Sequence, residues 1–252
     1  MGAGYANFRP PVHQRVIERV LAHLGASRKF SCVLDVGCGA GLSTRPLVPA
    51  ADLCIAIDPA EAMVKWGATV APEAVFIAAG AEALPVRSGS IDLITAAGSL
   101  NYADLERFFP EARRVLADKG TLVVYDFSQG RSFRDSGDLD IWFDRFLARY
   151  PAPPDPINHL DPDTLARVAG GMHLSAHEHF EIGVAVSPQF YIDYIMTETN
   201  ISNAVARGAN EADIRAWCEA SLAPVFAGRE REVLFRGYIA YLVRNAAPLH
   251  YA

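Results

Sequence analysis

Between residues 31 and 127 the chain repeats one pattern: a short apolar run, a turn holding Gly, Pro or Asp, then an amphipathic stretch. SCVLDV (31–36), LCIAID (53–58), AVFIAA (74–79), IDLITAAG (91–98) and TLVVYDF (121–127) read as strands with both faces covered. The segments between them read as helices. Leu42 to Val48 forms the first, with Pro46 near its opening turn, and PAEAMVKWGA the second. DLERFFPEARRVLADKG (104–120) forms the third, with Pro110 expected to kink or break it. A further helix precedes the first strand, because PPVHQRVIERVLAHL places Val12, Val16, Ile17, Val20, Leu21 and Leu24 on one face and stops at Gly25. Strands and helices alternating in this way define an α/β fold, a parallel sheet packed by helices on both sides.

After residue 127 the pattern changes. Residues 128–160 read as an insertion, with one helix over DLDIWFDRFLARY and a proline-stiffened connection PAPPDP. DPDTLARVAGG (161–171) is a short helix capped by Asp161, and LSAHEHFEIGVAVS (174–187) a strand. One helix then opens at Ser187 and Pro188 and carries Phe190, Tyr191, Tyr194, Ile195, Ile201 and Val205. Another spans about 210–223, and EVLFRGYIAYLVR (232–244) is the last strand. The whole reads as a single domain over 1–252, with an N-terminal lid helix in 1–28 and cap insertions at about 128–160 and 187–230.

About half of the 252 residues are hydrophobic, enough for a full core. A net charge of -6 with pI near 5.6, and no basic stripe, argues against a nucleic-acid surface. Cys32, Cys38, Cys54 and Cys218 form no CxxC pair and read as reduced core thiols. No long apolar run and no leader pattern is present, so the expectation is a cytoplasmic protein with no membrane partner. The sequence says nothing of its oligomeric state.

VLDVGCGAGLST (33–44) sets Gly37, Gly39 and Gly41 on alternate positions after the first strand, bare backbone against which a ligand can lie. A dinucleotide fingerprint spaces its third glycine three residues after the second; here two suffice, and Asp35 stands just before the loop. A carboxylate there repels pyrophosphate and suits an ammonium group. Asp58 ends the second strand, where it can accept hydrogen bonds from both hydroxyls of a ribose. The pattern describes a nucleoside with a zwitterionic, phosphate-free tail.

Together, VLDVGCGAGLST, CIAIDPAEAMV, AAGAEALPVRSGSIDLITAAGSLNYAD and EARRVLADKGTLVVYDF resemble, in order, the motifs of class I S-adenosylmethionine-dependent methyltransferases. YANFRPPV (5–12) and LNYAD are similar to the small-molecule branch with the trans-aconitate methyltransferase-like enzymes. The resemblance implies a Rossmann-like, doubly wound, seven-stranded sheet, mostly parallel with the last strand antiparallel. It implies S-adenosylmethionine as the methyl donor, leaving S-adenosylhomocysteine. Gly37, Gly39 and Gly41 would hold its methionine part, Asp35 would lie near the ammonium, and Asp58 would take the ribose. Pro59, Ala60 and Met63 would flank the adenine, Ala81 and Glu82 would meet its edge, and Ala97, Gly98 and Leu100 would line the donor. The family commonly has Asp where Glu82 stands, which shifts weight to the Ala81 N–H.

Methyl transfer from a sulfonium needs positioning more than a catalytic dyad. Asn101, Tyr102 and Asp126, beyond the fourth strand and at the end of the fifth, are the candidates beside the transferred group. Tyr5, Arg9, Trp142, Phe146, Tyr191 and Tyr194 are candidates for a small-molecule acceptor pocket, Arg9 as a clamp on a carboxylate. His173, His177 and His179 lack partner ligands for a metal. Two other readings stay open, an adenosylmethionine-binding protein with non-methylating chemistry and a nucleotide-dependent oxidoreductase.

Overall fold

The computed structural model describes residues 8–25, 29–151 and 158–245, which divide into two compact units. The larger holds the described residues of 13–126, 156–180 and 238–252; the smaller holds those of 1–12, 127–155 and 181–237.

In the larger unit α1 (Val12–His23) leads to β1 (Phe30–Val36), followed by β2 (Ala51–Asp58), α2 (Glu61–Val70), β3 (Val75–Ala78), β4 (Ile91–Ala97), α3 (Leu105–Val115) and β5 (Leu116–Phe127). The sheet order is β3-β2-β1-β4-β5-β8, with β8 spanning Arg231–Arg244 and β7 (Met172–Val186) also pairing with it. β1 runs parallel to β2 on one side (Val36↔Ile57) and to β4 on the other (Val36↔Ala96). The carboxyl ends of β1 and β4 are therefore the topological switch point, where open α/β sheets leave a crevice. Residues alternate along β5 between the two covered faces. Leu122 and Val124 join Leu34, Val36 and Ile94 in a core packed by Phe108, Phe109 and Val115 of α3, while the Tyr125 hydroxyl meets His13 Nδ1 of α1 at 2.8 Å. This is the doubly wound, mostly parallel sheet expected, with antiparallel strands at its end.

In the smaller unit β6 (Ser132–Phe133) pairs antiparallel with β8, Ser132 opposite Leu234. α4 (Asp138–Arg149), α6 (Pro188–Ile195), α7 (Thr199–Ala206) and α8 (Glu211–Phe226) complete it, and α5 (Pro162–Val168) belongs to the larger unit. Asp161 caps α5 through Thr164 N–H at 2.6 Å, as its sequence signals.

Four local expectations need correction. Residues 42–47 are turns followed by a 3₁₀ turn at Val48–Ala50, not a helix. Pro46 has no N–H for the Leu42 carbonyl, and the Ser43 and Thr44 hydroxyls turn back to Asp35. Pro110 does not break α3 into two; it sits on the exposed side, so the Glu106 carbonyl it leaves unserved can take water. That helix ends at Val115 rather than residue 120, because buried Leu116 pairs with Ile91 and starts β5, bulging before Thr121 meets Leu93. The helix opened by Ser187 ends at Ile195, where Thr197 Oγ1 donates to the Tyr194 carbonyl at 2.6 Å, and α7 begins after buried Glu198. The short strand β6 carried no sequence signal. PAPPDP lies mostly outside the described residues.

Candidate functional site

A cavity of about 570 Å³ opens at the switch point, lined by Val36, Gly37, Asp58, Pro59, Ala79–Glu82, Ala97–Ser99, Tyr102 and Ala103. Its walls are the carboxyl ends of β1, β2, β3 and β4 and the 3₁₀ turn Ser99–Tyr102. Gly37 has φ +69° and its N–H donates to the Ile57 carbonyl at 2.8 Å. A β-carbon there would stand 2.2 Å from Ser99 Cβ, so only glycine lets the turn after β4 close on the loop. Ser99 Oγ donates to the Val36 carbonyl at 2.6 Å and fastens that contact.

The other two glycines serve the scaffold rather than the cavity wall. Gly39 donates its N–H to Asp58 Oδ2 at 2.9 Å. Gly41 faces α2, where a β-carbon would meet Gly67 Cα at 3.1 Å and Phe76 at 3.2 Å. Asp58 Oδ1 accepts from Ala60 N–H at 2.8 Å, so this carboxylate pins the glycine loop and the entry to α2 while lining the cavity. Glu82 likewise lines the cavity and accepts from Asp104 N–H at 3.0 Å.

Asp35 departs most from expectation. Its carboxylate is fully buried, accepting from Ser43 Oγ and Thr44 Oγ1 at 2.7 Å each and from Thr95 Oγ1 at 2.8 Å, and it does not line the cavity. It anchors the segment after the loop, and Thr95 of β4, through these three hydroxyls. Burial pushes its pKa above the usual carboxylate range, the three hydroxyl bonds oppose that, and Asp58 adds to it.

Leu100 is buried in the core, and Ala60 and Met63 lie on the α2 side outside the cavity lining, so these three do not meet the cavity as expected. Tyr102 is 66% exposed at its mouth. Asn101 Nδ2 donates to Asp126 Oδ2 at 2.8 Å, and a β-carbon on Gly98 would come within 3.1 Å of Asp126 Oδ1. That pair thus stands behind Gly98, which lines the cavity, without lining it itself. Val36, Ala79, Gly80, Ser99 and Ala103 line it without having been singled out. Ala79 and Gly80 were accessible to the rule that ligands gather at carboxyl ends of strands; Ser99 had no such signal beyond its position after Gly98.

The aromatic acceptor candidates do something else. Trp142, Phe146, Tyr191 and Tyr194 are all buried within the smaller unit. Trp142 stacks on Phe146 (centroids 5.4 Å apart, planes 17°) and Trp217 (5.8 Å, 29°), and its Nε1 donates to Ser221 Oγ at 2.8 Å. Tyr191 OH donates to the Gly130 carbonyl at 2.6 Å. These rings pack the unit because amphipathic helices turn their aromatics inward. Trp142→Ala is expected to cost about 3–5 kcal/mol in urea unfolding, and a loss below about 1 kcal/mol would contradict a core role. Arg9 is engaged rather than poised to clamp a carboxylate. Its Nη1 pairs with Glu198 Oε1 at 2.9 Å, Nη2 reaches the Thr197 carbonyl at 3.3 Å, and the guanidinium lies 5.2 Å from the Tyr194 ring centre. Tyr5 lies outside the described residues.

His173 Nδ1 is 3.1 Å from Asn245 Oδ1, the rings of His177 and His179 are 6.0 Å apart, and among the described residues no three His, Cys, Asp or Glu side chains are grouped to hold a metal. Nor is any described helix long and apolar enough to cross a membrane. The four cysteines are unpaired and buried.

Fold and cavity together define a Rossmann-like, doubly wound domain with an open cleft at its topological switch point. Residues 34–124 match the family described as a methyltransferase domain. A malonyl-[acyl-carrier protein] O-methyltransferase of Geobacter sulfurreducens is 36% identical over 130 residues, covering 47% of each chain. A Dictyostelium discoideum protein provisionally named a methyltransferase is 27% identical over 123 residues, 49% of this chain and 46% of that one. The chain thus spans about half the length of the curated relatives it matches. A structure from Anaeromyxobacter dehalogenans, provisionally named a type II methyltransferase, superposes with TM-score 0.69 at 23% identity, covering 91% of this chain and 95% of that one, a likeness of fold. Residues 34–124 are thus similar to a methyltransferase domain, and the fold around them is that of the solved structure on which the chain superposes.

Proposed function

We propose that this chain transfers a methyl group from S-adenosylmethionine to oxygen, nitrogen or carbon of a small-molecule acceptor. The observation that carries the reading is the cavity's lining. Two carboxylates, Asp58 and Glu82, stand beside bare backbone at Gly37 and Gly98, and among the described residues the lining includes no Lys, Arg or His. A pyrophosphate would meet charge of its own sign there, whereas a nucleoside with a cationic tail would not.

The residues fit that donor. Each Asp58 oxygen accepts one loop N–H, leaving a second lone pair on each for the two ribose hydroxyls. Glycine at 37 and 98, both at positive φ, leaves room for the methionine part, and Ala81 with Glu82 would meet the adenine edge. When bound, S-adenosylmethionine supplies a methyl group already activated on a sulfonium. The chain's own task is to place the acceptor in line and exclude water. Where the acceptor carries a proton of high pKa, Asp126 held by Asn101 is the proposed proton-holding group. A cytoplasmic setting is supported by the unpaired cysteines.

Titration calorimetry with S-adenosylhomocysteine and S-adenosylmethionine tests the reading, with NAD as a comparison. Saturable binding of both nucleosides and none of the dinucleotide is expected; no binding of either nucleoside would overturn it. Asp58→Ala should weaken S-adenosylhomocysteine about a hundredfold, since it removes the ribose acceptors and frees Gly39. An unchanged Kd would show that the carboxylate serves the loop alone.

A further inference from the structure

We infer that Asn158 is a positioning residue for the cavity, holding the turn after β4 in its ligand-binding shape. The inference rests on the reading of that cavity as the donor site. The turn Ser99–Tyr102 contributes Ser99 and Tyr102 to the cavity, and Ala103 follows directly. It is entered through Gly98 at φ +65° and spans one turn of 3₁₀ helix, a geometry with poor internal hydrogen bonds and unserved carbonyls at its end. Its closing bond, Ala103 N–H to the Leu100 carbonyl, is long at 3.3 Å.

Asn158, more than fifty residues later in the chain, completes what the turn lacks. Its Nδ2 donates to the carbonyls of Leu100 at 3.0 Å and Ala103 at 2.9 Å, and its backbone N–H donates to the Asn101 carbonyl at 2.9 Å. Two carbonyls of the site turn and that of Ala103 just after it therefore end on one residue. On the other side Glu82 accepts Asp104 N–H, so the turn is held at its carbonyls by Asn158 and just beyond them by a cavity carboxylate. The residue type follows from the task. Two carbonyls facing one nitrogen need an amide NH₂; Asp has no donor and would turn a carboxylate on both. The same clamp fixes Asn101, whose side chain holds Asp126. Asn158 is not among the residues that line the cavity and acts through Ser99, Tyr102 and Asn101.

The test uses the full chain with Asn158→Asp, Asn158→Gln and, as a control of comparable local destabilisation, Asp161→Ala, which removes the cap of α5 three residues further on. Two readouts are taken: amide hydrogen exchange of peptides covering residues 98–105, and the Kd of S-adenosylhomocysteine. Asn158→Asp is expected to speed exchange in that segment at least tenfold and to weaken binding about tenfold. Asn158→Gln, which keeps the NH₂, recovers part of both, and Asp161→Ala changes neither. Unchanged exchange in Asn158→Asp overturns the clamp. Faster exchange with an unchanged Kd overturns the positioning role, as does equal weakening in Asp161→Ala. If the unsubstituted protein binds no S-adenosylhomocysteine, the donor reading fails with the positioning role that rests on it, while the exchange result still decides whether the clamp exists.

Discussion

Asp35→Ala is expected to destabilise the larger unit by about 3 kcal/mol, since it strands buried hydroxyls that now share one acceptor. Ser43, Thr44 and Thr95 are all buried and all donate to that carboxylate. Each stranded hydroxyl costs about 1–3 kcal/mol, and rotation toward other acceptors together with the removal of a buried charge offsets part of the sum. Asp35→Asn should cost less, because its amide oxygen still accepts. The comparison with Asn also carries a pH signature. Burial raises the folded-state pKa of Asp35, so the folded protein holds the proton more tightly than the unfolded chain does. That contribution is fully present below the unfolded pKa of about 4 and is lost as pH rises through the folded value. Relative to Asp35→Asn, the unsubstituted protein should therefore be best placed near pH 4 and lose ground toward neutrality. Urea unfolding of both proteins across that range measures it, and an advantage that grows with pH would contradict the burial account.

Gly37→Ala should abolish measurable nucleoside binding, a loss of at least about a hundredfold, with a fall in Tm. Two costs add. A left-handed φ costs a β-carbon residue about 1–2 kcal/mol, and the new methyl would overlap Ser99 Cβ at 2.2 Å, so the turn carrying Ser99 and Tyr102 must withdraw. Gly39 supplies the matched comparison. It has φ +51° with nothing within 4 Å of a built β-carbon, so Gly39→Ala bears the strain alone. The expected order of damage is Gly37→Ala far above Gly39→Ala in both calorimetry and thermal melting. Equal effects would mean that backbone strain, not the approach of Ser99, explains the glycine at 37.

Both predictions turn on features whose legibility differed. The glycines of VLDVGCGAGLST and the aspartate ending CIAID were readable because a strand, a turn and a strand-end carboxylate are local patterns of a few residues. The strands were readable for the same reason. β6 was not, since two residues carry no periodicity, and the 42–48 helix was misread because its hydroxyls and Pro46 answer to Asp35 and to a missing N–H. Asp35 itself read as a ligand group, for nothing in the sequence says that Thr95, sixty residues on, will donate to it.

The aromatics of the smaller unit show the same division. Helical spacing marked Trp142, Phe146, Tyr191 and Tyr194 as inward-facing, yet could not say whether inward meant a cavity or a core; stacking and burial decide for the core. Glu198 and Asn158 drew no attention at all, because a partly buried ion pair with Arg9 and a three-carbonyl clamp exist only once distant segments meet. The sequence by itself determined the α/β alternation, the glycine loop and Asp58, all set by backbone sterics and short-range periodicity. Tertiary structure alone decided which carboxylate faces the cavity, which is sealed inside, and what holds the turn between them, because burial and hydrogen-bond partnership depend on residues far apart in the chain.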